Sequence, residues 1–511
     1  MLLASGAQAA PPADIDEYVA QTLQAFDAPG FSLAIVENGR TVHARGYGVR
    51  KLGGKARADE HTIFPIGSCT KAFVSAALAI LVDEGKLSWD DLVTDRLPGF
   101  RMHDAYTTAH MTVRDLLVHN SGLSLGAGDL LWLGGTEYSR RGLMERLRYI
   151  EPARSFRDGY AYDNVLYVVA GLLVEQLSGM SWEAFTEARI LRPLGMKDST
   201  VPFDKALKAR NRAALHARLR GELRGLGPNE VLPDRSSVGE SANVAPAGSI
   251  QASAVDIAEW MKVQLARGAL PGGKRLFSEK QAQEMWTGRT ITPGGGGPAV
   301  LALTKANFSL YALGWNVRDY RGHKVVNHSG GVFGGAAWVF LIPEKNVGIA
   351  AMVNSEDGAA RRAVVYHLAD HYLGLSQEDW IGKYRAALDE IMAGGLKALR
   401  SLPPDPGSGP GPSLALEKYA GRYADAWYGT MTLTHDGAAL RMQFDHTPAL
   451  RSRLEHVRHD TFRTRFADRN LEDAYVTFAL MPDGSVAQIT LKPVSPLADF
   501  SFNYKDLLFR P

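Results

Sequence analysis

The chain of 511 residues holds a single cysteine, Cys69, which excludes an internal disulfide and any thiol-rich metal site. Charge of one sign is equally scarce. Lys and Arg number 57 against 55 Asp and Glu, the formal net charge is +2, and no long run of like charge occurs. Nucleic acid is thereby excluded as the main partner, because phosphate binding draws on a concentrated basic face. Long apolar runs are missing as well. Even AFVSAALAILV (72–82) is broken by small residues and meets Asp83 and Glu84, so no transmembrane segment is expected. The 14 histidines include no His-x-His and no His-Glu-x-x-His pair. His103, His110 and His119 fall singly beside Asp104 in helix- and loop-like sequence and read as surface or core residues, so neither a metal nor a cofactor is called for.

What is present is ordinary globular composition, 45% hydrophobic and 22% charged, over more than one domain's length. Residues 1–13 open with small and apolar side chains, and Ala7-Gln8-Ala9 fits the small-x-small pattern before a signal cleavage site. The basic start and full apolar stretch of a signal are missing. Two readings stay open: a signal remnant, with a periplasmic or secreted protein, or a frayed terminus, with a cytoplasmic one.

A first region, residues 14–375, begins with a helical pattern, IDEYVAQTLQAFD, and two strand-like runs, GFSLAIVENG and RTVHARGYGVR, separated by the turn pair Asn38-Gly39. HKVVNHSG, AAWVFLIPEK and VGIAAMVNS read as three further strands before the apolar helix AARRAVVYHLADHYL. Strands at both ends with helical sequence between them predict an α+β domain, an antiparallel sheet flanked by helices with a large helical insertion. Residues 376–412 read as another helix and a Pro/Gly/Ser-rich linker, SLPPDPGSGPGPS. Residues 413–511 alternate around Asp436-Gly437 and Asp483-Gly484, which predicts two hairpins in a small, barrel-like, antiparallel all-β domain. The glycine run 294–297 lacks the Lys-Ser/Thr of a phosphate loop and reads as loop punctuation.

Chemistry concentrates in FPIGSCTKAFVSAALAILVDEGK (64–86), which reads as one buried helix from Ser68 onward. Positions i and i+3 share a helix face, so Ser68 and Lys71 are expected side by side. A serine hydroxyl is a poor nucleophile until a neighbouring base takes its proton. Lysine becomes such a base when burial and the positive helix end disfavour its ammonium form. The same helix end offers N–H groups to an oxyanion. Ser-x-x-Lys alone is a weak signal, but two partners follow in order: Tyr162-Asp163-Asn164 before another apolar helix, and His328-Ser329-Gly330 with Gly331 on a strand.

In that order these motifs resemble the serine β-lactamase and penicillin-binding-protein-like hydrolases, among them class C β-lactamases, D-Ala-D-Ala carboxypeptidases, D-aminopeptidases and related esterases. TVRDLLVHNSGL (112–123), VAPAGSIQASAVDIAEWM (244–261) and YALGWNV (311–317) strengthen the likeness. The resemblance implies that Ser68 forms an acyl-enzyme, that Lys71 and Tyr162 share proton transfer, and that Asn164, His328 and Gly330 bind substrate. It also implies an oxyanion hole from the backbone N–H groups of Ser68 and Gly331. Tyr160 is a neighbouring rival, but Tyr162 has the right spacing to Asn164. Many relatives carry lysine where His328 stands. A histidine of ordinary pKa, about 6.5, is mostly neutral at pH 7, which favours esters, amides or substrates with a free amine over carboxylate-bearing ones. The C-terminal domain resembles the lipocalin-like domain appended to some of these hydrolases. It is expected to pack near the cleft or in a subunit contact and to tune access, with Trp427, Tyr428 and Phe500 in its core.

The expected activity is hydrolysis of small carboxylic esters or amides through a Ser68 acyl-enzyme. D-aminopeptidase or carboxypeptidase action and β-lactam hydrolysis are the alternatives. The expected partner is thus a small-molecule or short peptide substrate, and a homo-oligomer is compatible with the sequence. A rival of another class is a non-catalytic, peptidoglycan-peptide-binding or self-assembling protein. Gly122-Leu123-Ser124-Leu125-Gly126 matches the nucleophile-elbow pattern, but MTVRDLLVHNS before it reads as helix rather than strand, so Ser124 is set aside.

Overall fold

Asn38 and Gly39 both take positive φ, 49° and 74°. That backbone twist matches the strands it joins, β1 (Gly30–Glu37) and β2 (Arg40–Gly48), as the Asn-Gly pair predicts. The computed structural model describes residues 10–234, 242–295, 297–401 and 409–511. Ala7-Gln8-Ala9, Gly296 and parts of the expected linker and of the loop before Val244 lie outside the described residues. Three short strands, β3 (Thr290–Ile291), β4 (Ser309–Tyr311) and β5 (Asn316–Tyr320), precede β6 (His323–Val332), β7 (Gly335–Ile342) and β8 (Val347–Val353). They form one antiparallel sheet in the order β2-β1-β8-β7-β6-β5-β4-β3.

Strand β1 is buried along its whole length because both faces of the sheet are covered. Phe31, Leu33 and Ile35 point to one apolar cluster, and Ala34 and Val36 to the other, the two-residue period of a strand. The first cluster includes side chains of α1 (Ile15–Phe26). The second contains α2 (Lys71–Asp83), α3 (Val165–Ser178) and α4 (Ala254–Leu265), where the Phe73 and Trp260 rings stack at 3.8 Å. Helices α5 (Gly358–Leu373) and α6 (Trp380–Arg400) complete the first layer. Among the described residues no single helix is long and apolar enough to cross a membrane.

The predicted helix over MTVRDLLVHNS does not form beyond a turn at Asp115–Leu117. The Asp115 carboxylate accepts the Thr112 N–H (2.9 Å) and hydroxyl (2.6 Å) and pairs with Arg157, which caps the start of this single turn. His119, with φ at 57°, then ends the segment.

After α6 the chain forms β9 (Gly421–Asp425), β10 (Gly429–His435), β11 (Leu440–Phe444), β12 (Arg451–Arg458), β13 (Thr461–Thr464), β14 (Ala474–Leu480), β15 (Val486–Pro493) and β16 (Leu508–Phe509). Each pairs antiparallel with the next. Ala424 and Arg510 exchange backbone hydrogen bonds of 2.7 and 2.9 Å, which ties the first strand to the end of the last and gives a barrel. Trp427 and Tyr428 are in its core, as expected. Phe500 is not: it is 37% exposed and faces the other domain.

Candidate active site

Gly67 has φ of +50°, and a Cβ there would stand 2.8 Å from the Gly331 nitrogen. A Cβ on Gly330 would lie 1.9 Å from the Ile66 oxygen and 3.0 Å from the Ser68 nitrogen. Two glycines thus let β6 press its backbone against the turn that carries Ser68. Gly331 differs, because a Cβ there would meet nothing within 4 Å, so this backbone borders open space. The backbones of Ser68 and Gly331 are thereby brought close together.

Ser68 lies in a tight helical turn, Gly67–Thr70, that runs straight into α2 at Lys71. The i,i+3 relation brings the Lys71 amine 3.2 Å from the Ser68 hydroxyl oxygen. The amine also donates to Asn164 Oδ1 at 2.7 Å and to the Ala247 carbonyl at 3.0 Å. Those two oxygens only accept. A neutral lysine spends both hydrogens on them and turns its lone pair to Ser68. Lys71 has no exposed surface, and this burial pushes its pKa down from 10.5 to about 7, against the opposing pull of Asp129 and Asp163.

Tyr162 lies across the amine, its ring centroid 4.7 Å from Lys71 Nζ. Its backbone is clasped by the loop before it: Gly126 N–H donates to the Tyr162 carbonyl at 2.9 Å, and Ala161 N–H to that of His119 at 3.0 Å. Among the described residues the buried Tyr162 hydroxyl has no hydrogen-bond partner within bonding geometry, though Ser68 acts on its ionisation. Burial lifts its pKa well above the ordinary tyrosine range, so it stands as a phenol, a proton donor. Tyr160, the sequence rival, packs beside His119 and Tyr311 instead. Asn164 stands at the start of α3, but its side chain does not cap the helix. It bridges Lys71 and Asp129, donating to the latter at 2.9 Å.

His328 is 3% exposed, and both ring nitrogens are engaged. Nδ1 donates to its neighbour's carbonyl, Ser329, at 2.7 Å, so Nε2 accepts the Tyr311 hydroxyl at 2.7 Å. Burial and the nearby Lys71 push its pKa down to about 3. The imidazole is therefore a neutral wall of the site. Gly330 is held from behind, its carbonyl accepting from Arg361 Nη1 at 2.9 Å.

Sequence reasoning missed several neighbours. His119 lies fully buried against Tyr162 and Tyr311, ring centroids 4.3 and 4.4 Å away, and accepts the Asp163 N–H on Nδ1 at 3.2 Å. Asp129 is fully buried behind Asn164. The C-terminal barrel contributes Phe500, edge-on to Tyr162 at 5.8 Å, and Ser501, bonded to Asp129. Ser124 belongs to the domain interface, where its hydroxyl donates to Asp506 at 2.8 Å. Cys69 is buried, its thiol donating to the His328 carbonyl and its pKa pushed up to about 12, which leaves it unreactive. No group of three or more His, Cys, Asp or Glu among the described residues is placed to hold a metal ion.

The Beta-lactamase family model matches residues 15–408, and a domain of unknown function, DUF3471, matches residues 405–511. Unguisins hydrolase ungD of Aspergillus violaceofuscus is 27% identical over 508 residues, 92% of this chain and 86% of that protein. Unguisins hydrolase ungD' of Aspergillus campestris is 30% identical over 444 residues, 83% and 78% of the two chains. Among solved structures, the octameric penicillin-binding protein homologue from Pyrococcus abyssi has a TM-score of 0.58 at 22% identity, covering 97% of this chain and 99% of that one. A class C beta-lactamase gives 0.55 at 19% identity, over 71% of this chain and 96% of its own. These two likenesses carry the fold. With residues 15–408 matched by the family model and a relative at 30% identity over 83% of the chain, the chain belongs to the β-lactamase and penicillin-binding-protein-like family of serine hydrolases, with a C-terminal barrel appended.

Proposed function

We propose that the chain hydrolyses small, uncharged carboxylic esters or amides through an acyl-enzyme on Ser68. The observation that carries this reading is the hold on Lys71: two fixed acceptors and burial leave its lone pair aimed at the Ser68 hydroxyl near neutral pH. In acylation the Ser68 oxygen bonds to the substrate carbonyl carbon while its proton passes to Lys71. The carbonyl oxygen takes the negative charge between the N–H groups of Ser68 and Gly331. As the tetrahedral intermediate collapses, the bond to the leaving group breaks. The departing alcohol or amine receives a proton from the Tyr162 hydroxyl, which Lys71 replenishes. Water then attacks the Ser68 ester by the same route in reverse, returning the proton to Ser68 Oγ and releasing the acid.

Tyr162 is the donor and Lys71 the base because burial favours the neutral form of both, which lowers the pKa of the amine and raises that of the phenol. The preference for uncharged substrates rests on His328, whose neutral, fully engaged ring offers no cation to a carboxylate. A second reading, hydrolysis of the unguisins named for the two Aspergillus relatives, is supported by similarity along nearly the whole chain. A non-catalytic binder would have no use for a deprotonated lysine beside a serine.

The test is release of p-nitrophenol from short-chain esters, run beside D-aminoacyl p-nitroanilides and a chromogenic β-lactam. Turnover of the neutral ester above the β-lactam, abolished by Ser68→Ala, is expected. A preference for the carboxylate-bearing β-lactam would contradict the substrate class. Activity that survives Ser68→Ala would contradict the nucleophile.

A further inference from the structure

Asp129 is a carboxylate with no exposed surface, reached by side chains from both domains. It stands in a short helical turn, Asp129–Leu131, that begins after Gly128 with φ of 78°. Its Oδ1 accepts the Trp132 indole N–H at 2.9 Å. Its Oδ2 accepts two hydrogen bonds, from Asn164 Nδ2 at 2.9 Å and from Ser501 Oγ at 2.7 Å. Asn164 in turn accepts the Lys71 amine on Oδ1 at 2.7 Å. An unbroken chain of short contacts therefore runs from Ser501 on the barrel, through Asp129 and Asn164, to the amine beside Ser68.

The order of atoms in this chain is fixed by polarity. Were the Asn164 amide reversed, its oxygen would face a carboxylate and its NH₂ would face an N–H donor, two repulsive contacts in a dry site. Asp129 thus dictates that Oδ1 faces Lys71. That orientation is what occupies one amine hydrogen and leaves the lone pair for Ser68. Keeping Asp129 able to do so is costly, because a buried carboxylate takes up a proton unless donors surround it. Burial indeed lifts its pKa to about 7, and the bonds from Trp132, Ser501 and Asn164 oppose the rise. Of these three donors only Ser501 comes from outside the domain that holds Ser68. The surrounding barrel loop is seated closely, since a Cβ on Gly126 would lie 2.5 Å from the Phe500 carbonyl oxygen. Ser124 also donates to Asp506 at 2.8 Å, which holds the same loop at its far end.

Resting on the assignment of Lys71 as base, we propose that Ser501 is a positioning residue for that base: docked on Asp129, it fixes the Asn164 amide and completes the active site only when the barrel is in place. The barrel then does more than shape access to the cleft. It supplies a donor to the proton-transfer machinery without touching substrate.

The experiment is the rate of Ser68 labelling by a fluorophosphonate, which needs no knowledge of the natural substrate. It is followed in the full-length chain with the maximal rate separated from the half-saturating concentration. Ser501→Ala is expected to lower the maximal rate about tenfold, the usual order for losing a hydrogen bond to a charged group, with half-saturation unchanged. Ser501→Thr, which keeps the hydroxyl, is expected to restore at least part of the rate. In an Asp129→Asn background the Ser501→Ala change is expected to add little, because both act through one carboxylate. A Ser501→Ala rate equal to wild type, or losses that multiply fully in the double variant, would overturn the proposal. So would a slow Ser501→Thr variant whose thermal midpoint falls in step with its rate, since that pattern marks loss of packing. Wild-type protein that resists labelling altogether would instead overturn the nucleophile assignment, and this inference with it.

Discussion

Acylation should be governed by a proton on Lys71, and its pH dependence follows from burial. Burial moves the amine from 10.5 to about 7, which corresponds to about 5 kcal/mol of disfavour for the ammonium at roughly 1.4 kcal/mol per pH unit. At pH 7 about half of the molecules then carry a free base, against about one in 3,000 for an ordinary lysine. Chemistry needs the neutral form, so the rate is present above the pKa and lost as pH falls through it. Single-turnover acylation is expected to rise about tenfold from pH 6 to pH 8 and to level off beyond. Asp129, itself raised to about 7, lies one amide away, so the observed midpoint belongs to the pair. Asp129→Asn removes an anion that holds the Lys71 pKa up, so the midpoint is expected to move lower. Lys71→Arg keeps positive charge but gives it up to nothing below pH 12, and should cost about a thousandfold or more. Acylation that is flat from pH 6 to pH 9, or that keeps climbing toward pH 10, would refute the reasoning.

Three further outcomes are expected. Tyr162→Phe removes a phenol that burial keeps protonated, and should lower kcat by about a hundredfold with little change in KM, checked by steady-state kinetics. Gly330→Ala drives a methyl into the Ile66 carbonyl and should destabilise the fold by about 2 kcal/mol or more, whereas Gly331→Ala meets open space and should leave the melting midpoint in place while weakening substrate binding. Ser124→Ala loses one interface hydrogen bond and should cost about 1 kcal/mol in denaturant unfolding, with fluorophosphonate labelling still one per chain.

How far the sequence could be read differs between the parts of the site. Ser68 and Lys71 were legible because helical spacing makes them neighbours before any tertiary contact forms. Tyr162, Asn164 and His328 were legible by their order along the chain, and the strands by alternation and Asn-Gly or Asp-Gly turns. Asp129, His119 and Tyr311 were not, because a lone polar residue acquires its role from partners distant in the chain. The one signal for Asp129 was an acid opening the apolar run DLLWLGG, where an ionised group enters a buried stretch. Ser501 and Phe500 left no signal, since docking between domains has no periodicity. Phe500 was expected in the barrel core for that reason, and the segment 111–121 was expected as a helix because its apolar spacing is helical, whereas the left-handed backbone at His119 stops it after one turn.

The most direct test of the central claim is mass spectrometry of the full-length protein after reaction with a fluorophosphonate at pH 8. One adduct per chain is expected, on the peptide that contains Ser68, and absent from Ser68→Ala. An adduct on any other residue, or an unmodified Ser68 in protein that still hydrolyses esters, would contradict it.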